Sequence, residues 1–322
     1  MRLLSVGLLG LALAFSPCHQ AAAQKWPDHP VTMIVPFPAG SAVDSLARAV
    51  AQNLSENLGK QFIVDNRAGA GGGIGGTAVA KAAPDGYTFL FGTPAPIAIN
   101  KLMYKNLAYD PERDFMPVIL VAKSPLIVAA KADFPANTFA ELIAYARANP
   151  DKVNVGNPGN GTLGHITSEL IQQFTGVKMT NVPYRGTAPL TTDLLGGVID
   201  VVMDFMPTYV PLAEAGKIKA LAVTTSTRAA QLPNVPTVQE SGFKGFEASA
   251  WYAMVAPTGT PKEIVSTLNE LINAYLKSEK GKALLAQNAL QPVGGAPEDL
   301  KAFIASELAK WKPVIETAKI TM

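Results

Sequence analysis

A hydrophobic strand that runs through a turn of small residues straight into a helix constrains this chain most, and the pattern occurs twice. Val31 to Phe37 leads through Pro38-Ala39-Gly40-Ser41-Ala42 into a helix at Val43. Val153 to Gly156 leads through Asn157-Pro158-Gly159-Asn160-Gly161-Thr162 into a second helix. Each turn offers unpaired backbone N–H groups and the positive end of a helix dipole. Two such turns, in separate blocks of the chain, point to a clamp for one small anion.

Strands and helices alternate around both turns. After the strand at Val31–Phe37, apolar residues at Val43, Leu46, Ala47, Val50, Leu54 and Leu58 predict a helix that stops at Gly59. A strand at Phe62–Val64, a helix at Ile74–Ala83 and a strand at Thr88–Phe91 follow. This βαβαβ order implies a parallel sheet flanked by helices, with the strand C-termini along one edge. A second block repeats it. It has strands at Leu126–Ala130, Val153–Val155, Met179–Val182, Asp200–Asp204 and Ala220–Thr224. Helices at Thr138–Ala148, Thr162–Thr175, Ala188–Leu195 and Pro207–Ala215 separate them. After a Pro/Gly-containing stretch and a strand-like Trp251–Ala256, the tail is helical over Pro261–Lys277, Gly281–Asn288 and Pro297–Thr317. The tail is expected to pack back on the first block. The chain would then cross between two α/β lobes near Pro117–Pro125 and near Phe246–Ala256, and two crossover strands would make a hinge beside a cleft. The expected lobes are residues 24–124 with 250–322, and residues 125–249. A single large α/β sheet is the alternative.

Residues 1–23 read as a secretory signal peptide: Met1-Arg2, an apolar run Leu3–Phe15 too short to span a bilayer, and Ala21-Ala22-Ala23 before Gln24. The expected location is the periplasm. Cys18 is the only cysteine, and Pro17 before it disfavours lipidation. The mature chain therefore carries no disulfide, thiolate metal site or cysteine nucleophile. The sequence has 27 Lys and Arg against 25 Asp and Glu, or 26 against 25 without Arg2, and no basic stripe. That balance gives no footing for nucleic acid.

Motifs for chemistry are missing. There is no His-Glu-x-x-His, no Gly-x-Ser-x-Gly and no phosphate loop ending in Gly-Lys-Ser/Thr. Gly71-x-Gly73-x-x-Gly76 and Gly159-x-Gly161-x-x-Gly164 match the dinucleotide pattern, but neither is followed by the acidic residue that holds a ribose. No cofactor and no metal are expected. Asp44 and Asp204 each fit either a structural role or ligand contact. Arg67 and Arg185 lie in loops on the expected cleft edge, solvated or paired with an anion. Phe37, Phe205, Met206 and Trp251 offer apolar walls. His165 fits loop shaping, helix capping or a donor to the ligand.

These residues carry a family resemblance. Pro36-Phe37-Pro38-Ala39-Gly40-Ser41-Ala42-Val43-Asp44, Val64-Asp65-Asn66-Arg67-Ala68-Gly69-Ala70-Gly71-Gly72, Asp85-Gly86-Tyr87-Thr88, Val182-Pro183-Tyr184-Arg185-Gly186, Asp193-Leu194-Leu195-Gly196-Gly197 and Leu221-Ala222-Val223-Thr224 resemble the Bug family, in order along the mature chain. These are periplasmic substrate-binding proteins of tripartite tricarboxylate transporters. The resemblance implies a two-lobe periplasmic-binding-protein (Venus flytrap) fold. It also implies one ligand carboxylate held by Phe37, Ala39, Gly40, Ser41 and Asp44 together with Asn157, Gly161, Thr162 and His165. The far end of the ligand would meet Thr93, Pro94, Ala95, Thr187, Asp204 and Phe205. The family often has a second Gly after Gly40 and a Thr just before Asp44. Ser41 and Val43 stand there, which makes for a more apolar pocket.

The expectation is a monomeric, non-enzymatic binding protein that captures a small organic mono- or dicarboxylate and presents it to the membrane subunits of a tripartite transporter. Two alternatives are a sensor docking on a membrane receptor and a periplasmic hydrolase using His165.

Overall fold

A computed structural model describes residues 26–322. The signal-peptide reading of residues 1–23, and Cys18 with it, lies outside the described residues. The first block contains β1 (Val31–Val35), α1 (Ala42–Leu58), β2 (Phe62–Asn66), α2 (Gly73–Ala80) and β3 (Thr88–Gly92), then two short helices, α3 (Asn100–Met103) and α4 (Pro111–Asp114). β4 (Phe115–Lys131) leads to α5 (Phe139–Ala148), β5 (Asn154–Asn157), α6 (Leu163–Thr175), β6 (Thr180–Pro183) and α7 (Thr187–Leu195). Then come β7 (Val201–Phe205), α8 (Val210–Glu214), β8 (Ile218–Val223) and β9 (Ser249–Pro257). The chain ends with α9 (Lys262–Lys277), α10 (Glu279–Gln287), β10 (Gln291–Pro292) and α11 (Pro297–Thr317).

The strands form two sheet halves joined through β4. One half runs β2-β1-β3-β9-β4, with β1 parallel to β2 and β3, and β9 antiparallel to β3 and β4. The other runs β4-β7-β5-β6, with β5 parallel to β6 and β7 while β7 and β8 pair antiparallel with β4. Parallel cores follow from the helical crossovers, as the alternation predicts. The antiparallel additions come from strands that travel between the halves.

β4 joins what the sequence reading kept apart, a crossover strand near Pro117–Pro125 and a strand at Leu126–Ala130, into one element. It is 17 residues long and almost entirely apolar. Its prolines read as breaks, yet each sits where a ladder can spare an N–H. The register shifts just after Pro117. At Pro125 the partner changes: residues up to Pro125 pair with β9, and those from Leu126 onward pair with β7 and β8. The buried Thr224 closes this junction. Its hydroxyl accepts from the Leu126 N–H at 3.0 Å, and its carbonyl accepts from Ala248 N–H at 2.9 Å. The helix expected over Pro207–Ala215 is also split, into a 3-10 turn at Met206–Thr208 and the short α8. The tail packs largely as expected, α9 against α1 and β4, but α11 covers β4 and also reaches α6 in the second half.

Candidate functional site

The two small-residue turns are built to one plan. Ser41 is the N-cap of α1 in extended geometry, and its hydroxyl faces the Asp44 N–H at 3.4 Å. The Asp44 carboxylate reaches back to accept the Gly40 N–H at 2.8 Å. Thr162 caps α6 the same way, facing the His165 N–H at 3.4 Å, and His165 Nδ1 accepts the Gly161 N–H at 3.1 Å. Gly40 and Gly161 both need positive φ, 81° and 71°, which a glycine adopts without strain. The amides of Ala42, Val43, Leu163 and Gly164, in the first helical turns, have no partner within their helices.

Asp44 is 2% exposed. Burial alone would raise its pKa, but Arg48, the Gly40 amide and Asn66 outweigh it and hold the carboxyl below its ordinary 3.8. In His165 burial itself lowers the pKa from 6.5, which favours the neutral ring. Accepting at Nδ1 places the neutral ring's proton on Nε2, which lies 3.9 Å from Glu169. The neutral form is therefore the one that fits. Because the unfolded chain binds the proton more readily, stability falls as pH drops below about 6.5 toward the lower folded value. Urea midpoints between pH 8 and 5 should show this decline, and His165→Asn should flatten it.

A cavity of about 490 Å3 opens between the turns. Nine residues singled out from the sequence line it: Phe37, Ser41, Thr93, Pro94, Ala95, Gly161, Thr162, Thr187 and Phe205. Six do not. Asp44 and His165 are turned onto their own loops, and Ala39 and Gly40 belong to the first turn without reaching the wall. Asn157 is fully buried, its side-chain oxygen accepting the Gly159 N–H at 3.1 Å. Asp204 is fully buried behind Phe205. It accepts the Phe205 N–H at 2.7 Å and the Tyr209 hydroxyl at 3.2 Å, and burial raises its pKa. Arg67 pairs with Asp65 at 2.8 Å, and neither it nor Arg185 reaches the wall.

Sequence reasoning missed several wall residues. Trp251 was expected to face the pocket, but its indole donates to Glu307 at 3.0 Å on the other side of β9, and its neighbour Tyr252 lines the cavity. Side chains alternate along a strand, so the adjacent residue takes the opposite face. Met206 is buried and off the wall. Met103, Tyr104 and Met322 line it without any motif to announce them, whereas Val43 and Leu163 follow from the two helix starts. Ser124, Ala250 and Tyr252 bring the crossing strands β4 and β9 into the lining. Among the described residues lining the cavity there is no Asp, Glu, Lys, Arg or His.

The glycine patterns serve packing. A Cβ on Gly76 would lie 2.5 Å from the Tyr109 hydroxyl, and one on Gly164 would lie 2.3 Å from the Met203 carbonyl oxygen. Among the described residues, no group of three or more His, Cys, Asp and Glu is placed to hold a metal, and no helix is long and apolar enough to cross a membrane.

Residues 46–320 match the model of the tripartite tricarboxylate transporter family receptor. The chain belongs to that family. The tripartite tricarboxylate transporter receptors are binding proteins and not enzymes, which removes the hydrolase alternative. BugT of Bordetella pertussis, 37% identical over 91% of this chain and 90% of its own length, bears out the Bug resemblance. The fold is shared with Rpa4515 of R. palustris, described with adipate: 42% identity, TM-score 0.79, covering 92% of this chain and 99% of that one. MatC of Rhodopseudomonas palustris, described with bound malate, is 32% identical with a TM-score of 0.74, covering 90% of this chain and 100% of that one. The two-lobe α/β receptor fold expected from the sequence is thus the fold of this family.

Proposed function

We propose that this chain is a periplasmic receptor that captures a small organic carboxylate in the cavity between its lobes and hands it to the membrane subunits of a tripartite transporter. The observation that carries this reading is the convergence of two equivalently built helix starts, α1 and α6, on one cavity without charged side chains. The adipate and malate of the related structures give the ligand chemistry. One lobe comprises residues 24–124 and 250–322, and the other residues 125–249. Their junction at Pro125 and Thr224 acts as the hinge. A carboxylate touching both turns binds the closed arrangement better than the open one, and that difference closes the lobes. The receptor acts as a monomer. Amides, the Ser41 hydroxyl and bridging waters hold the anion, while the Thr162 hydroxyl is committed to the Gly159 carbonyl at 2.6 Å.

Calorimetric titration with a carboxylate panel tests the reading, using protein unfolded and refolded to strip carried-over ligand. One acid should bind with unit stoichiometry, and failure of every acid would overturn it. Ser41→Ala removes the α1 cap and a hydroxyl at the cavity. It should cost about 1 kcal/mol of stability in urea unfolding and weaken the acid by about tenfold.

A further inference from the structure

We infer that the cargo carries one carboxylate on an apolar body, as an aromatic or alkyl monocarboxylate does, and that Met103 and Met322 fit the cavity to that body. The inference rests on the reading of this cavity as the ligand site.

The wall supplies one good anion seat. The first turns of α1 and α6 contain no proline, so their amides are intact. The remaining turns on the wall do not reproduce that seat. After β3, Pro94 and Pro96 bracket Ala95 and delete the flanking amides. After β7, Pro207 does the same within Met206–Thr208. The start of α7 already faces a carboxyl of the protein's own, because Thr187 lies against the buried Asp204. A second ligand carboxylate there would find the Thr187 side chain already engaged by Asp204 behind the wall, with no lysine or arginine on the wall to offset its charge. Taking a carboxylate out of water without a cation or a full set of donors costs several kcal/mol.

The methionines supply the complementary surface. A Cβ on Gly161 would lie 3.3 Å from Met322 Sδ and 3.4 Å from Met103 Sδ, and the Met322 N–H donates to the Met103 carbonyl at 3.0 Å. Two thioethers from one sheet half therefore cover the glycine turn of the other, beside Leu163 and Ile166 on the same wall. Unbranched, polarisable methionine side chains adapt to apolar ligands of varied shape.

The test is competitive titration of stripped protein with benzoate, phenylacetate and octanoate against malate and adipate. At least one monocarboxylate should bind tenfold or more tighter than either diacid. A diacid binding tighter would overturn the inference and leave the site reading standing, whereas no binding by any acid would remove both. Met322 is 52% exposed, so Met322→Lys should fold. Its ammonium should shift the ratio at least tenfold toward the diacids. An unchanged ratio would overturn the role given to Met322. Met103→Leu, which conserves volume, should keep the monocarboxylate preference, and its reversal would overturn the role given to Met103.

Discussion

Gly164→Ala should destabilise the protein by about 3 kcal/mol or more and abolish carboxylate binding with it. The added methyl would stand 2.3 Å from the Met203 carbonyl oxygen and 2.7 Å from Pro158 Cδ. The first obstacle is the backbone of a buried central strand, and it cannot rotate away as a side chain would. The helix start must lift off β7 instead, and the amides of Leu163 and Gly164 move with it. Stability and binding are therefore coupled at this one position. Gly196→Ala is the control. That glycine has φ −79°, and its Cβ would come no closer than 3.3 Å to any atom, so the change should stay within about 1 kcal/mol. Urea unfolding followed by tryptophan fluorescence separates the two, and calorimetry reports the binding.

The same glycine shows what the sequence disclosed and what it hid. Gly159-x-Gly161-x-x-Gly164 looks like a nucleotide fingerprint, and its third glycine does serve close helix–strand packing, the role that position has in dinucleotide folds. The two turns were legible because cap residues and glycines leave few alternatives to a helix start. The continuity of β4 was not, because Pro125 reads as a break between the crossover strand and Leu126–Ala130 when only local propensity is weighed. A change of partner absorbs it, and that is a tertiary event. The register of β9 lay within reach, since alternation along the strand distinguishes Tyr252 from Trp251 once one face is fixed. Met103 and Met322 were out of reach. They meet only because the last residues fold back onto the turn after α3, and nothing local marks either one.

Asp44→Ala should cost about 3 kcal/mol in urea unfolding and weaken the carboxylate by tenfold or more, whereas His165→Ala should cost about 1 kcal/mol. The two residues occupy equivalent places, three positions into α1 and α6 and each holding the amide of its turn glycine. Their chemistry differs. The Asp44 carboxylate also accepts from Asn66 Nδ2 at 2.9 Å and from Arg48 Nε at 3.0 Å, and Asn66 in turn donates to the Phe37 carbonyl at 3.0 Å. Removing it strands several donors and frees the segment from Phe37 to Ser41. Removing the imidazole strands one. Acid should expose the same asymmetry. The folded pKa of Asp44 lies below 3.8, so its contribution is complete above that pH and is lost as pH falls through the lower folded value. His165 begins to destabilise the fold already below about pH 6.5. Mild acid therefore lowers global stability through the unfolded chain's histidine while both folded turns stay locked, and affinity should decline only as pH falls through the lowered folded pKa of His165, in the wild type but not in His165→Asn. A parallel decline in both proteins would mean that the α6 turn holds its shape without the imidazole.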